Sequence, residues 1–153
     1  LNGAYAVDGS RAVSTLTEGQ VYAIEKKEDA LALLKENRRK FATDNLEIVP
    51  GTAPEAMVEL PVPTHAFIGG SSGNMNEIIR LLLDKNPGVR IVINCITLET
   101  VTEAMNAIRD FSLTDVDIVQ LSAARSKSIG RYHMMMGENP IYIISCSGRG
   151  EEI

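Results

Sequence analysis

Glycines and serines interrupt the chain at residues 69–73 (Gly-Gly-Ser-Ser-Gly), directly after the apolar run His65–Ile68. Beyond this turn, apolar residues recur at i, i+3, i+4 and i+7: Met75, Ile78, Ile79 and Leu82. The pattern predicts a strand, a glycine turn and a helix that starts at Asn74, whose side chain would cap it. Glycine permits positive φ and close approach of a ligand to the backbone. A turn that only reverses the chain is an equally good interpretation.

A carboxylate ends the strand-like run Val21–Glu25. An acid at the end of a strand beside a nucleotide site can accept hydrogen bonds from both ribose hydroxyls, although a solvated acid is common at such positions. The next predicted strand, Leu46–Val49, leads into Pro50–Pro54, whose small residues would let an adenine ring lie against the backbone. The alternative is a loop whose prolines end the strand.

Polar residues also follow the predicted strand Arg90–Asn94. Asn94 and Thr97 lie at its carboxyl end, the edge at which ligands bind in open α/β sheets. Thr100 and Glu103 have the spacing of a capping box, which predicts that a helix begins there and continues to Asp110.

The last two predicted strands, Val116–Leu121 and Ile141–Ser145, have no helical pattern between them. Because parallel neighbours need a crossover, we expect an antiparallel hairpin on an otherwise parallel sheet. This is the α/β architecture of class I S-adenosylmethionine (SAM)-dependent methyltransferases, a Rossmann-like fold. The loop between the strands carries four basic or titratable residues and two turn glycines: Arg125, Lys127, Arg131, His133, Gly130 and Gly137.

Composition restricts the function classes. The 153 residues are most simply one domain, and a net charge of −5 argues against general nucleic-acid binding. No apolar run is long enough to span a membrane, so no membrane association is expected. Cys95 and Cys146 lie in separate apolar runs without metal-ligand spacing. They are typical of reduced core thiols in a cytoplasmic protein that holds no metal.

Several runs together resemble one family, the decarboxylating precorrin methyltransferases of cobalamin biosynthesis. These are the cobalt-precorrin C(15)-methyltransferase and the equivalent C-terminal domain of precorrin-6Y C(5,15)-methyltransferase. The resemblance extends in register from Glu18 to about Ser145. The runs that carry it are residues 67–74 (FIGGSSGN), 91–100 (IVINCITLET) and 139–144 (NPIYII), with 21–25 (VYAIE) and 45–55 (NLEIVPGTAPE) in agreement.

The resemblance implies methyl transfer from SAM to C(15) of a precorrin or cobalt-precorrin, coupled to decarboxylation of the C(12) acetate. It implies that Glu25 holds the cofactor ribose, that Ala53 lies at the adenine, and that Gly69, Gly70 and Ser71 border the methyl-transfer site. Ser71, Asn94 and Thr97 would orient the tetrapyrrole, since no strong general base is required. Carboxylates of the tetrapyrrole would meet Arg125, Lys127, Arg131 and His133. A homotetramer is also implied.

The N-terminal segment departs from the family. A glycine-rich turn that cradles the methionine part of the cofactor is missing; Asp8 and Gly9 are its remnant and are predicted to contact the cofactor. Ala4–Val7 has the pattern of a short strand, whereas Arg11–Ser14 resembles the segment that precedes the family's first strand. We therefore expect a single domain over residues 1–153, with residues missing between about 7 and 17.

Three alternatives remain open from the sequence. The first is a methyltransferase of the same fold that acts on RNA or protein, which the acidic charge disfavours for RNA. The second is a nicotinamide-dependent oxidoreductase, because an acid after the second strand also suits the ribose of NAD; an antiparallel final hairpin would favour the methyltransferase. The third is a non-catalytic descendant that has lost the cofactor turn.

Overall fold

The computed structural model describes residues 3–7 and 19–149, with side chains described for 19–149. Its elements, in chain order, are β1 (Gly3–Val7), β2 (Gln20–Glu25), α1 (Glu28–Lys40), β3 (Leu46–Pro50), a short 3₁₀ helix (Glu55–Met57), β4 (Pro63–Ile68), α2 (Met75–Lys85), β5 (Arg90–Cys95), α3 (Leu98–Asp110), β6 (Thr114–Leu121), β7 (Ala124–Ile129), β8 (Tyr132–Gly137) and β9 (Ile141–Ser147).

The main sheet of the described chain has the order β3-β2-β1-β4-β5-β9-β6. Strands β1 to β5 pair in parallel, while β9 runs antiparallel between β5 and β6. This confirms the predicted class I methyltransferase architecture, including the antiparallel final pair. The strand order reverses between β1 and β4, and such a switch point is where open α/β sheets bind ligands.

Strand β1 corrects one expectation. The resemblance placed Arg11–Ser14 ahead of the first strand, but that strand is Gly3–Val7, hydrogen-bonded between β2 and β4. The short strand predicted at Ala4–Val7 is thereby confirmed. Asp8 and Gly9 follow directly after Val7 in the chain and lie outside the described residues.

The segment between β6 and β9 corrects another expectation, because the predicted loop contains a second hairpin. Strands β7 and β8 pair antiparallel as a separate two-stranded sheet in which every residue is exposed. Gly130 makes the turn with φ of +59°, as expected, whereas Gly137 ends β8 instead of forming a turn. We call β7 and β8 the arm.

Two apolar clusters hold the described sheet between helices. On α2 the predicted stripe is confirmed: Met75, Ile78, Ile79 and Leu82 are all buried. They pack with alternate residues of β5 and with α3 in one cluster. Helix α1 uses Leu34 to pack against β2 and β3 in the other. Burying such an aliphatic side chain contributes about 1.5–3 kcal/mol to the stability of the fold. Because the two clusters hold the helices against the sheet, they also fix the loops that join strand ends to helices.

Residues 3–7 and 19–149 contain no helix that is both long and apolar enough to span a membrane. The same part of the chain contains no cluster of three or more His, Cys, Asp or Glu residues that could hold a metal ion. Cys95 and Cys146 are free thiols buried in the core.

Candidate cofactor and substrate site

A cleft of about 80 Å³ opens at the carboxyl ends of β2, β3 and β4. Three segments at the strand ends line it: residues 24–27, 51–53 and 70–72. The two polar residues that are buried in the described chain, Glu25 and Ser71, both lie in its wall. Buried polar groups are rare because removing them from water is costly, so their convergence on one cleft makes it a candidate binding site.

Glu25 is only 4% exposed, and its carboxylate is oriented by the backbone. Oε1 accepts hydrogen bonds from the backbone N–H groups of Lys26 and Lys27, both at 2.8 Å. The carbonyl of Glu25 accepts from the N–H of Gly51 at 2.9 Å, which ties the end of β2 to the exit of β3. The cleft therefore presents a fixed carboxylate beside a small-residue loop.

The glycine turn forms the opposite wall. Ser72 and Gly73 adopt positive φ of +51° and +86°, a region that glycine occupies readily and that other residues adopt only at a steric cost. Asn74 precedes α2 as predicted, but the predicted side-chain cap is wrong. Its Nδ2 instead donates to the carbonyl of Ala53 at 3.1 Å, because the exit loop of β3 packs against the start of α2. This bond holds the two walls of the cleft together.

Ser71 is linked to α3. Its Oγ donates to Oε2 of Glu103 at 3.3 Å. The predicted capping box at Thr100 and Glu103 is wrong, because α3 begins earlier, at Leu98, and Thr97 is its N-cap. Oγ1 of Thr97 accepts from the N–H of Thr100 at 3.1 Å. Thr97 therefore caps the helix, and the carboxylate of Glu103 contacts the glycine turn instead of the helix start.

Asn94 lies near the end of β5. Alternation along this strand places Ile93 and Cys95 in the α2–α3 core and Asn94 on the opposite face, in register with Ile143 of β9. Its Oδ1 is buried and has no hydrogen-bond partner within the described chain. An unsatisfied buried acceptor costs about 1–3 kcal/mol, a cost that a ligand donor would remove.

The two buried thiols lie at opposite ends of β5, Cys95 at its carboxyl end and Cys146 opposite Ile91 near its start. Burial, and secondarily the negative charge of Glu103, raises the pKa of Cys95. Burial raises the pKa of Cys146 to about 11, against a smaller lowering by Arg90. The carboxylate of Glu103 therefore acts on the end of β5 as well as on the glycine turn.

Known proteins match this fold over almost all of the chain. Residues 3–147 match the family described as the precorrin methyltransferase domain. The chain belongs to this family. A relative from Methanothermobacter thermautotrophicus, named a probable cobalt-precorrin-6B C(15)-methyltransferase (decarboxylating), is 39% identical over 127 residues. The match covers 82% of this chain and 66% of the relative, so the chain spans just under two thirds of that relative's length.

Two solved structures are similar to this precorrin methyltransferase domain. A precorrin-6y C5,15-methyltransferase from Geobacter metallireducens superposes with a TM-score of 0.85 at 31% identity, covering 95% of this chain and 80% of that one. A precorrin 8W decarboxylase from Methanobacterium thermoautotrophicum gives a TM-score of 0.83 at 34% identity, covering 95% and 81%. The resemblance to the precorrin methyltransferases is confirmed.

The precorrin methyltransferase domain carries its predicted substrate cations on the arm. Arg125 and Lys127 of β7 share one face with Met136 and Met134, their register partners on β8. His133, opposite Ser128, lies on the other face. Arg131 is in the turn, where Nε and Nη2 donate to the hydroxyl of Tyr132 at 3.1 and 2.9 Å. The four residues do not form one cluster.

The structure thus unites part of the predicted site. Glu25, Ala53, Gly70 and Ser71 line one cleft, with Gly69 adjacent in the chain. Asn94, Thr97 and the arm residues lie elsewhere. Sequence reasoning missed Glu103, which it assigned to a helix cap. It also missed Lys26, whose Nζ donates to Oγ of Ser72 at 3.2 Å across the cleft mouth. A cation directly after the acid that ends β2 was the available signal for Lys26.

Proposed function

We propose that this domain transfers a methyl group from SAM to C(15) of a precorrin or cobalt-precorrin and couples the transfer to decarboxylation of the C(12) acetate, in cobalamin biosynthesis. The observation that carries the proposal is the buried carboxylate of Glu25 facing the glycine turn at the switch point of the sheet. The named activities of the relatives in this family support the same reaction.

The described residues fit the cofactor. Glu25 offers acceptor oxygens suited to two ribose hydroxyls, as acids do at this position in dinucleotide-binding folds. Ala53 is small and lies in the exit loop of β3, where a flat adenine ring can approach the backbone. Gly70 and Ser71 complete the facing wall. Asp8 and Gly9, which follow β1, are proposed to contact the methionine part.

When bound, SAM supplies an electrophilic methyl group on a sulfonium. The chain is then required to align an electron-rich carbon of the tetrapyrrole with that methyl group and to exclude water. Ser71, Asn94 and Thr97 are proposed to orient the tetrapyrrole; Asn94 has the strongest support, because its buried Oδ1 suits an N–H donor. The electrons released with carbon dioxide stay in the tetrapyrrole ring system, so the chain is not required to supply a strong base.

The arm is proposed to meet the carboxylates of the tetrapyrrole through Arg125, Lys127, Arg131 and His133. Charge-assisted hydrogen bonds between cations and carboxylates are the stronger kind. The face that carries Arg125 and Lys127 also exposes methionines, which suits a large apolar ring with acidic side chains.

A homotetramer in the cytoplasm is proposed as the working form. A two-stranded hairpin is marginally stable by itself, yet the arm exposes Met135 on the face opposite Arg125 and Lys127. Contact with a second copy would cover this face. The buried free thiols suit a reducing compartment.

Isothermal titration with S-adenosylhomocysteine tests the proposal. We expect the wild-type protein to bind, and Glu25→Gln to bind at least about tenfold more weakly, because a hydrogen bond to a charged group contributes about 1.5–3 kcal/mol. Glu28→Gln is the matched control, since it removes the same charge from the exposed first turn of α1. Absence of binding by folded wild-type protein would instead support a non-catalytic descendant.

A further inference from the structure

Glu103 is not among the residues that line the cofactor cleft. It lies on α3, in the second turn after the Thr97 cap, and is half-buried. Its carboxylate meets the hydroxyl of Ser71, the buried serine of that cleft. On its other side it lines a second cleft of about 190 Å³ together with Gly73, Glu77 and Asn106. Glu103 therefore lies directly behind the glycine turn.

The number of donors and acceptors on Ser71 limits the hydrogen bonds that it can form in the cleft. A serine hydroxyl has one proton and two lone pairs, whereas an ionised carboxylate only accepts. Ser71 donates its hydroxyl proton in a hydrogen bond to Glu103. Toward a ligand, Ser71 can therefore act only as a hydrogen-bond acceptor, through its lone pairs.

We propose that Glu103 is a positioning residue that, through Ser71, turns the glycine-turn wall into a hydrogen-bond acceptor surface and so favours the cationic cofactor over its neutral demethylated product. The inference rests on the proposed function, which brings the sulfonium to this wall. The two cofactor forms share adenine, ribose and amino-acid groups, and they differ at sulfur in charge and in the methyl group. The ratio of the two binding affinities therefore depends mainly on the wall that faces the sulfur.

Titration with two probes tests the inference without measuring turnover. The probes are sinefungin, which carries a protonated amine in place of the methylsulfonium, and the neutral S-adenosylhomocysteine. We expect Glu103→Gln to weaken sinefungin binding about five- to tenfold and S-adenosylhomocysteine binding less than twofold. The amide removes the charge and can donate to Ser71, which frees the hydroxyl proton to turn toward the cleft. Equal weakening of both probes would overturn the inference.

Two further variants separate the causes. Glu77→Gln removes an equal charge from the same second cleft, on α2, and should leave the ratio of the two affinities unchanged; an equal shift would overturn the role of Ser71.

Ser71→Ala should shift the ratio in the same direction as Glu103→Gln. Combining Ser71→Ala with Glu103→Gln should shift the ratio no further, since residues that act as one unit are non-additive. If Glu103→Gln does not fold, Ser71→Ala alone supports or overturns the inference.

Failure of the proposed function gives a different result. Wild-type protein that binds neither probe would contradict cofactor binding as a whole. Wild-type protein that binds both, with a ratio insensitive to Glu103 and Ser71, would overturn only the inference.

Discussion

Asn94 combines a cost to the fold with a proposed role in the site. Its Oδ1 is buried without a partner in the described chain, although buried polar groups are nearly always hydrogen-bonded. A small apolar residue at this position of β5 would satisfy the sheet better. Functional sites commonly retain such groups at the expense of stability, and this supports the orienting role proposed for Asn94.

Replacing Asn94 with Ala should therefore separate stability from turnover. We expect Asn94→Ala to reduce kcat about tenfold or more while S-adenosylhomocysteine affinity changes less than twofold, because the side chain would contact the tetrapyrrole. The melting temperature should stay level or rise, since the unpaired acceptor is removed. Titration, calorimetry and a precorrin methylation assay measure these quantities. A loss confined to cofactor binding would contradict this placement.

At the scale of elements, helix starts and strand ends determine which side chains reach the cleft. Helix α3 starts at Leu98 because Thr97 caps it, and this start directs Glu103 to Ser71. A hydrogen bond also joins β9 to β5 at the other end of the sheet. The N–H of Gly148, just after β9, donates to the carbonyl of Val89, just before β5, at 2.9 Å.

Gly148→Ala should loosen this end of the sheet. A Cβ there would overlap the carbonyl oxygen of Pro87 and lie 2.6 Å from Leu83, so β9 would have to shift. We expect a loss of about 2 kcal/mol or more in the free energy of unfolding, measured by urea denaturation. Gly137→Ala is the control, because a Cβ at that position would have no atom within 4 Å in the described chain. Equal stability of the two variants would refute the steric account.

At the scale of the whole molecule, the main sheet and the arm differ in how much of their surface they bury. The sheet buries its α2–α3 face and places the strand ends around the cleft. The arm extends as a separate two-stranded sheet whose residues are all exposed. An arm with this composition is explained if a second copy of the chain covers it.

Charge on one face of the arm should therefore break the assembly. We expect Met135→Glu, which changes the face opposite the proposed substrate cations, to convert the proposed tetramer into smaller species in analytical ultracentrifugation. Met134→Glu changes the substrate face and serves as the control; its carboxylate lies opposite Lys127, and a cross-strand pair of opposite charge should keep the hairpin folded. A Met135→Glu variant that sediments as the wild-type protein does would contradict the assigned face.

Local patterns in the sequence determined much of this protein. The 3.6-residue stripe of α2, the strand ending at Glu25 and the glycine turn each involve neighbouring residues, so periodicity and turn chemistry reveal them. Only the tertiary structure decided that Gly3–Val7 is the first strand, that Glu103 meets Ser71, and that His133 lies apart from Arg125. These facts depend on register and helix starts across distant segments, and residue spacing along the chain does not specify them.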